Sequence, residues 1–193
     1  KGGSSIHGLH KGSDFYAIAM EKAAKARETG VVKGVLWHQG ESDTVFPHLS
    51  KAYAKNLQNL VKDLRADLED DKLPFVCGNL GEFYGTGKYH IKNVPSIKIV
   101  RQALRELPTK VPYAGFAESI GCKHRGDFVH FEAKANVKLG QNYAAAYEAA
   151  VAGGKPKKAP AASPLNKAAS KYAVSARGVL SRVMGEPKAS TII

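Results

Sequence analysis

Cysteine, tryptophan and methionine are nearly absent from this chain, and no long apolar run breaks its polarity. Two cysteines, Cys77 and Cys122, cannot build a disulfide scaffold, and they lack the paired spacing of a zinc site. No apolar stretch approaches the ~20 residues that a membrane-spanning helix needs. Glycine and proline follow no short period, which excludes a collagen-like fibre. Seven histidines are present, but no pair has helical ligand spacing with a third ligand nearby, so no metal site is expected. What remains is an ordinary globular composition. The 193 residues are 44% apolar and 24% charged, enough for one α/β domain with a small surplus.

Acidic residues are scarce in one place. Residues 152–193 hold eight lysines and arginines against a single acid, Glu186, so +7 of the net +12 resides there. Such a tail can attract nucleic acid or other acidic polymers, or it can be a soluble, weakly folded appendage. Tyr172 is its only aromatic residue, too few for the stacking platforms of a single-strand binder, and no nucleic-acid partner is expected. Gly153-Gly154, followed by Pro156, Pro160 and Pro164, reads as a linker. The expected division is a domain over 1–151 and a basic tail over 152–193, with one amphipathic helix possible over 165–184. The chain opens Lys-Gly-Gly-Ser-Ser with no visible signal peptide. That is not a natural translation start, and it implies a processed or truncated piece.

The domain alternates helix and strand. Asp14 can cap a helix over 15–28 with Phe15, Ile18, Ala19, Lys22 and Ala23 on one face, ended by Gly30. Val31–Trp37 reads as a buried strand, short and β-branched. Tyr53, Leu57, Leu60, Val61, Leu64 and Leu68 fall at helical spacing over 50–68. Leu73–Leu80 reads as a second core strand, and 81–94 as a glycine-rich surface loop. A helix over 96–106 stops before Pro108, and Tyr113–Ala117 is a third strand. A last helix over 131–151 offers Val137, Leu139, Tyr143 and Tyr147 for burial. This order predicts a parallel sheet covered on both faces. Three strands are fewer than the five usual in such domains, and the missing ones are expected before residue 1.

In such sheets ligands bind beyond the carboxyl ends of the strands. Three polar segments sit there: Gly2-Gly3-Ser4-Ser5, His38-Gln39-Gly40-Glu41-Ser42-Asp43, and Asp127-Phe128-Val129-His130. The second gathers an amide, two carboxylates and an imidazole directly after a strand. In the third, Asp127 can accept a hydrogen bond from His130 and fix its tautomer, as a base that activates a nucleophile requires. His7 and His10 face solvent or substrate in a glycine-rich loop. Gly81–Gly87 lacks the Lys-Ser/Thr ending of a phosphate loop and is expected to be a rim loop. Cys77 is expected to be an inert core residue, and whether it pairs with Cys122 stays open.

Together these pieces resemble the SGNH hydrolases, and within them the sialate O-acetylesterase-like domain shared with carbohydrate esterase family six, which includes acetyl xylan esterases. The resemblance rests on Gly2-Gly3-Ser4-Ser5-Ile6, Trp37-His38-Gln39-Gly40-Glu41-Ser42-Asp43, Leu73-Pro74-Phe75-Val76, Val100-Arg101-Gln102-Ala103 and Asp127-Phe128-Val129-His130-Phe131, in the family's order over roughly 1–150. It implies a three-layer α/β/α flavodoxin-like fold with a parallel sheet. It also implies hydrolysis of acetyl esters on sugars through a serine acyl-enzyme, with no metal or organic cofactor. On the matching positions, His130 is the general base and Asp127 the acid beside it. Glu41 is a further carboxylate that some schemes count as the partner of the histidine. Gln39 is the side-chain oxyanion donor, Gly3 or Gly2 the backbone donor, and His38 a member of the same block. An acetylated carbohydrate is the implied partner, and the cell exterior or periplasm the implied location.

The departure is the nucleophile. The family's serine lies in a Gly-Gln-Ser-Asn type block after the first strand, and no such block occurs here. Ser4 and Ser5 belong to the oxyanion segment, and Ser42 lacks the Gly-x-Ser-x-Gly elbow. The expectation is therefore the downstream part of a serine esterase, inactive on its own. Its rival is a carbohydrate-binding or scaffold protein on the same fold with the serine lost.

Overall fold

Val35–Trp37 (β1), Phe75–Gly78 (β2) and Ala114–Ala117 (β3) run parallel in the order β1-β2-β3 in the computed structural model, which describes residues 2–87 and 90–153. Val35 pairs with Phe75, and Phe75 with Ala114. Parallel neighbours cannot be joined by a tight turn, so each strand is followed by a helix. Asp14–Arg27 (α1) precedes β1, while Pro47–Asp67 (α2), Val94–Lys110 (α3) and Ala133–Ala152 (α4) follow β1, β2 and β3 in turn. The strands are added in one direction, so right-handed crossovers put α2 and α3 on the same face.

Side-chain alternation divides the core between the two faces. Phe75 and Cys77 pack with Leu57, Leu60, Val61, Leu104 and Leu107, while Val76 points the other way toward Leu139 and Tyr143 of α4. The result is the expected three-layer α/β/α arrangement around a parallel sheet. Gly115 shows why α4 lies so close. A Cβ there would come within 2.6 Å of the Ala146 carbonyl oxygen, so only a residue without a side chain lets that helix approach.

Several element-level expectations are corrected. Ser13 rather than Asp14 caps α1, its Oγ accepting from the Tyr16 N–H at 3.3 Å. Tyr16 is the buried residue of that helix, and Ile18 is 46% exposed. The first strand shrinks to Val35–Trp37 at the edge of the sheet, with Leu36 42% and Val31 73% exposed. It pairs with β2 alone among the described residues, and α4 packs on β2 and β3 rather than on β1, which leaves Leu36 on an uncovered face. In α4, Val137 is exposed and Ala135, Leu139, Tyr143 and Ala150 are the buried positions.

Pro108 does not stop α3. It sits inside the helix, which continues to Lys110. A proline there has no N–H for the carbonyl four residues back, Leu104. The Cys77 thiol donates to that same carbonyl at 3.3 Å, so the buried oxygen keeps a partner. Both cysteines are free thiols and buried. The tail expected over 152–193 lies outside the described residues from 154 onward.

Candidate active site

β1 runs straight into the His38–Asp43 turn, whose end is a 3-10 turn over Ser42–Thr44. Gln39 and Asp43 are buried there. The Gln39 Nε2 donates to the Ser4 carbonyl at 3.0 Å and to Asp43 Oδ2 at 2.6 Å. The Asp43 carboxylate also accepts the Ile6 backbone N–H, at 3.0 Å through Oδ2 and 3.2 Å through Oδ1. These bonds stitch the Gly2–Ile6 segment onto the turn after β1. Gly3 has φ +81°, in the left-handed region that glycine enters without strain. The Tyr53 hydroxyl of α2 donates to the Gln39 carbonyl at 2.8 Å and fixes the turn from below. Burial pushes the Asp43 carboxyl up to about 6, against the pull of its hydrogen bonds to Gln39 and Ile6.

His38 is held in one tautomer. The Tyr143 hydroxyl donates to the Trp37 carbonyl at 2.6 Å, so it accepts from the His38 Nδ1–H at 3.0 Å. Burial lowers the His38 pKa, with Glu41 acting in the opposite direction, and the ring is neutral. Gly78 of β2 makes room for the pair, since a Cβ on it would lie 2.7 Å from His38 Nδ1.

The Asp127–His130 segment is the tip of a closed loop. His124 and Phe131 form an isolated antiparallel bridge, and the Arg125 N–H donates to the His130 carbonyl at 3.0 Å. Asp127 Oδ1 accepts the backbone N–H groups of Val129 and His130 at 2.9 and 2.8 Å, while Phe128 takes φ +58°. The other oxygen, Oδ2, is 2.7 Å from His130 Nδ1 and accepts the Arg125 Nε–H at 2.9 Å. Partial burial works to raise the Asp127 pKa. The His130 backbone and ring, the Val129 N–H and Arg125 outweigh it and hold the carboxyl well below the usual range. Asp127 is therefore held as an anion against His130 Nδ1, which the Arg125 Nη2 also approaches at 3.2 Å.

Packing brings this loop to the turn after β1. Phe131 meets His38 edge-on at 5.5 Å between ring centroids and Phe83 at 5.1 Å. Burial lowers the His90 pKa, and the charges of Asp127 and Glu41 work against that shift. Asp127 is the acid seen bonded to His130, and the Glu41 carbonyl anchors Thr44 and Tyr84. His7 and His10 stack at 5.4 Å on the exposed side of the N-terminal loop.

Further partners at the site have no local signal in the sequence. Asp43 lies inside the Trp37–Asp43 block, and its partner Ile6 is 37 positions away. Arg101, inside the Val100–Ala103 block, is buried and donates to the Gly81 and Tyr84 carbonyls, pinning the loop after β2. Tyr143 stands among the apolar positions of the last helix, and its bond to His38 spans 105 positions. His90 carried no sequence signal, because its place depends on the path of the 81–94 loop.

Residues 1–149 match the family described as carbohydrate esterase, sialic acid-specific acetylesterase. The chain belongs to this family. It is 31% identical over 147 residues to an Arabidopsis thaliana protein named "Probable carbohydrate esterase", a match covering 76% of this chain and 52% of that protein. A solved Arabidopsis thaliana structure superposes with a TM-score of 0.64 at 30% identity, covering 76% of this chain and 57% of that one. A carbohydrate acetylesterase from Xanthomonas citri superposes with a TM-score of 0.56 at 21% identity, over 78% of this chain and 35% of that one, and attests the fold. The chain spans about half the length of the curated relative it matches.

Proposed function

We propose that the protein hydrolyses O-acetyl esters on carbohydrates by a serine acyl-enzyme route, with His130 as its general base. The observation that carries this reading is the Asp127–His130 pair at 2.7 Å, held by a closed loop at the carboxyl ends of the strands. Family membership supports the esterase chemistry and the acetylated carbohydrate as substrate.

On this reading, His130 Nε2 removes the hydroxyl proton of a serine, and the oxygen attacks the acetyl carbonyl carbon. The carbonyl electron pair moves to oxygen, which accepts hydrogen bonds from a backbone N–H of Gly3 or Gly2 and from Gln39. His130 returns the proton to the departing sugar oxygen as the C–O bond breaks. Water, deprotonated by the same Nε2, then releases acetate and restores the serine. Asp127 stays ionised throughout and stabilises the imidazolium. Glu41, whose charge reaches His90 as that of Asp127 does, adds negative potential near the site, and His38, bonded to the Tyr143 hydroxyl that holds the Trp37 carbonyl, steadies the turn that carries Gln39. The serine, on this reading, is supplied by residues N-terminal to Lys1, and the 193-residue chain alone hydrolyses no faster than free imidazole. Action at the cell exterior or periplasm belongs to the same proposal, and fractionation of the native protein tests it.

The experiment is acetate release from acetylated xylo-oligosaccharide and from O-acetylated sialic acid by the protein carrying its N-terminal residues. His130→Ala lowers kcat by at least about 100-fold with an unchanged circular dichroism spectrum. Hydrolysis that survives this change contradicts the reading.

A further inference from the structure

We propose that Asp43 is a positioning residue for the ester hydrolysis proposed above: its buried carboxylate clasps the Gly2–Ile6 segment to Gln39, so that the two oxyanion-side segments share one geometry. The inference rests on that reading of Gln39. Asp43 is fully buried and makes its contacts with donors on two separate pieces of chain. Oδ2 accepts from Gln39 at 2.6 Å and from the Ile6 N–H at 3.0 Å, and Oδ1 accepts from the same N–H at 3.2 Å. Both oxygens therefore face donors. A carboxylate satisfies this arrangement, whereas an asparagine sets its NH₂ against the Ile6 N–H or the Gln39 amide.

The clasp also ranks the two bonds of Gln39. One N–H is held by the short bond to an anion, and the other by a neutral carbonyl, Ser4, at 3.0 Å. Hydrogen bonds to ionised acceptors are roughly twice as strong as neutral ones. The Ser4 bond is thus the one that exchanges for a developing oxyanion, while Asp43 keeps the amide in place. Gln39 Oε1 is buried without a hydrogen-bond partner. Protonation of Asp43 supplies a donor for it: the amide turns over, Oε1 accepts the carboxyl proton, and Nε2 leaves the oxyanion side. The titratable groups that face Asp43 are Glu41 on the same turn and the Tyr53 hydroxyl on α2.

Nitrogen-15 NMR of the 193-residue chain, titrated from about pH 4.5 to 7.5, follows the Ile6 amide and the Gln39 side-chain amide. The two move together in one step with a midpoint at about 6, and the step is absent in Asp43→Asn. In the protein carrying its N-terminal residues, Asp43→Asn lowers kcat for acetylated xylo-oligosaccharide at least tenfold with KM within twofold, because the oxyanion exists only in the transition state. A coupled step with kcat unchanged makes Asp43 a structural acid and overturns the proposal, as does a rise in KM alone. If the variant does not fold, a wild-type Gln39 amide that shows no step in this range overturns it. Failure of the hydrolase reading is recognised separately, by His130→Ala retaining activity while the NMR step is present.

Discussion

At the residue scale, the site sets two aspartates in opposite directions. Asp43 is pushed up to about 6 by burial, and Asp127 is held well below the usual range by the donors around it. The consequences for stability have opposite signs. A carboxyl raised in the fold binds its proton more readily folded than unfolded, so its contribution is largest below the unfolded value and is lost as pH rises through about 6. The Tm advantage of the wild type over Asp43→Asn is therefore larger at pH 5 than at pH 7. A depressed carboxyl contributes above its unfolded value, so the advantage over Asp127→Asn is flat from pH 7 to 5 and shrinks on further acidification. Thermal melts of both variants across this range check the two signs together. Catalytically, Asp127→Asn leaves an NH₂ or a neutral oxygen against Nδ1, loosens the tautomer, and lowers kcat by at least about tenfold. An Asp127→Asn enzyme with wild-type kcat shows that another group orients His130.

At the scale of elements, close approach and replaced hydrogen bonds decide what the chain tolerates. Gly115→Ala puts a Cβ 2.6 Å from the Ala146 carbonyl and forces α4 off the sheet, at a cost of about 1–3 kcal/mol measured by urea denaturation. α2 was legible because its apolar stripe at Tyr53, Leu57, Leu60, Val61 and Leu64 is buried as its spacing predicts. α1 was not, because its packing depends on Tyr16 reaching Asp67 at 2.8 Å, a contact 51 positions away in sequence. Pro108 read as a stop because local rules forbid it in a helix interior, and the Cys77 thiol that answers the Leu104 carbonyl is 27 positions away. The site divides in the same way. The Asp127-x-x-His130 spacing and the Gln39–Asp43 cluster stand in the sequence as motifs, but the bonds joining Asp43 to Ile6 and His38 to Tyr143 span 37 and 105 positions.

At the scale of the whole molecule, the described fold places each polar segment at one end of the sheet, and the basic excess lies in the last part of the chain. The division into a domain and a tail is proposed from composition: three prolines and a run of lysines follow the end of α4 at Ala152. Limited trypsin digestion cuts first between Lys155 and Lys171 and leaves a core that ends at a lysine between Lys157 and Lys171. A tail as resistant as the core contradicts a separable appendage. The central claim is that His130, oriented by Asp127, is the base of a carbohydrate acetylesterase. The most direct measurement is the steady-state rate of acetate release from acetylated xylo-oligosaccharide by the chain extended upstream of Lys1 with the serine block proposed above, compared between His130 and His130→Ala. The account predicts measurable turnover that falls by at least about 100-fold with the fold intact. Turnover unaffected by the loss of His130, or no turnover of any acetylated sugar by the wild type, contradicts it.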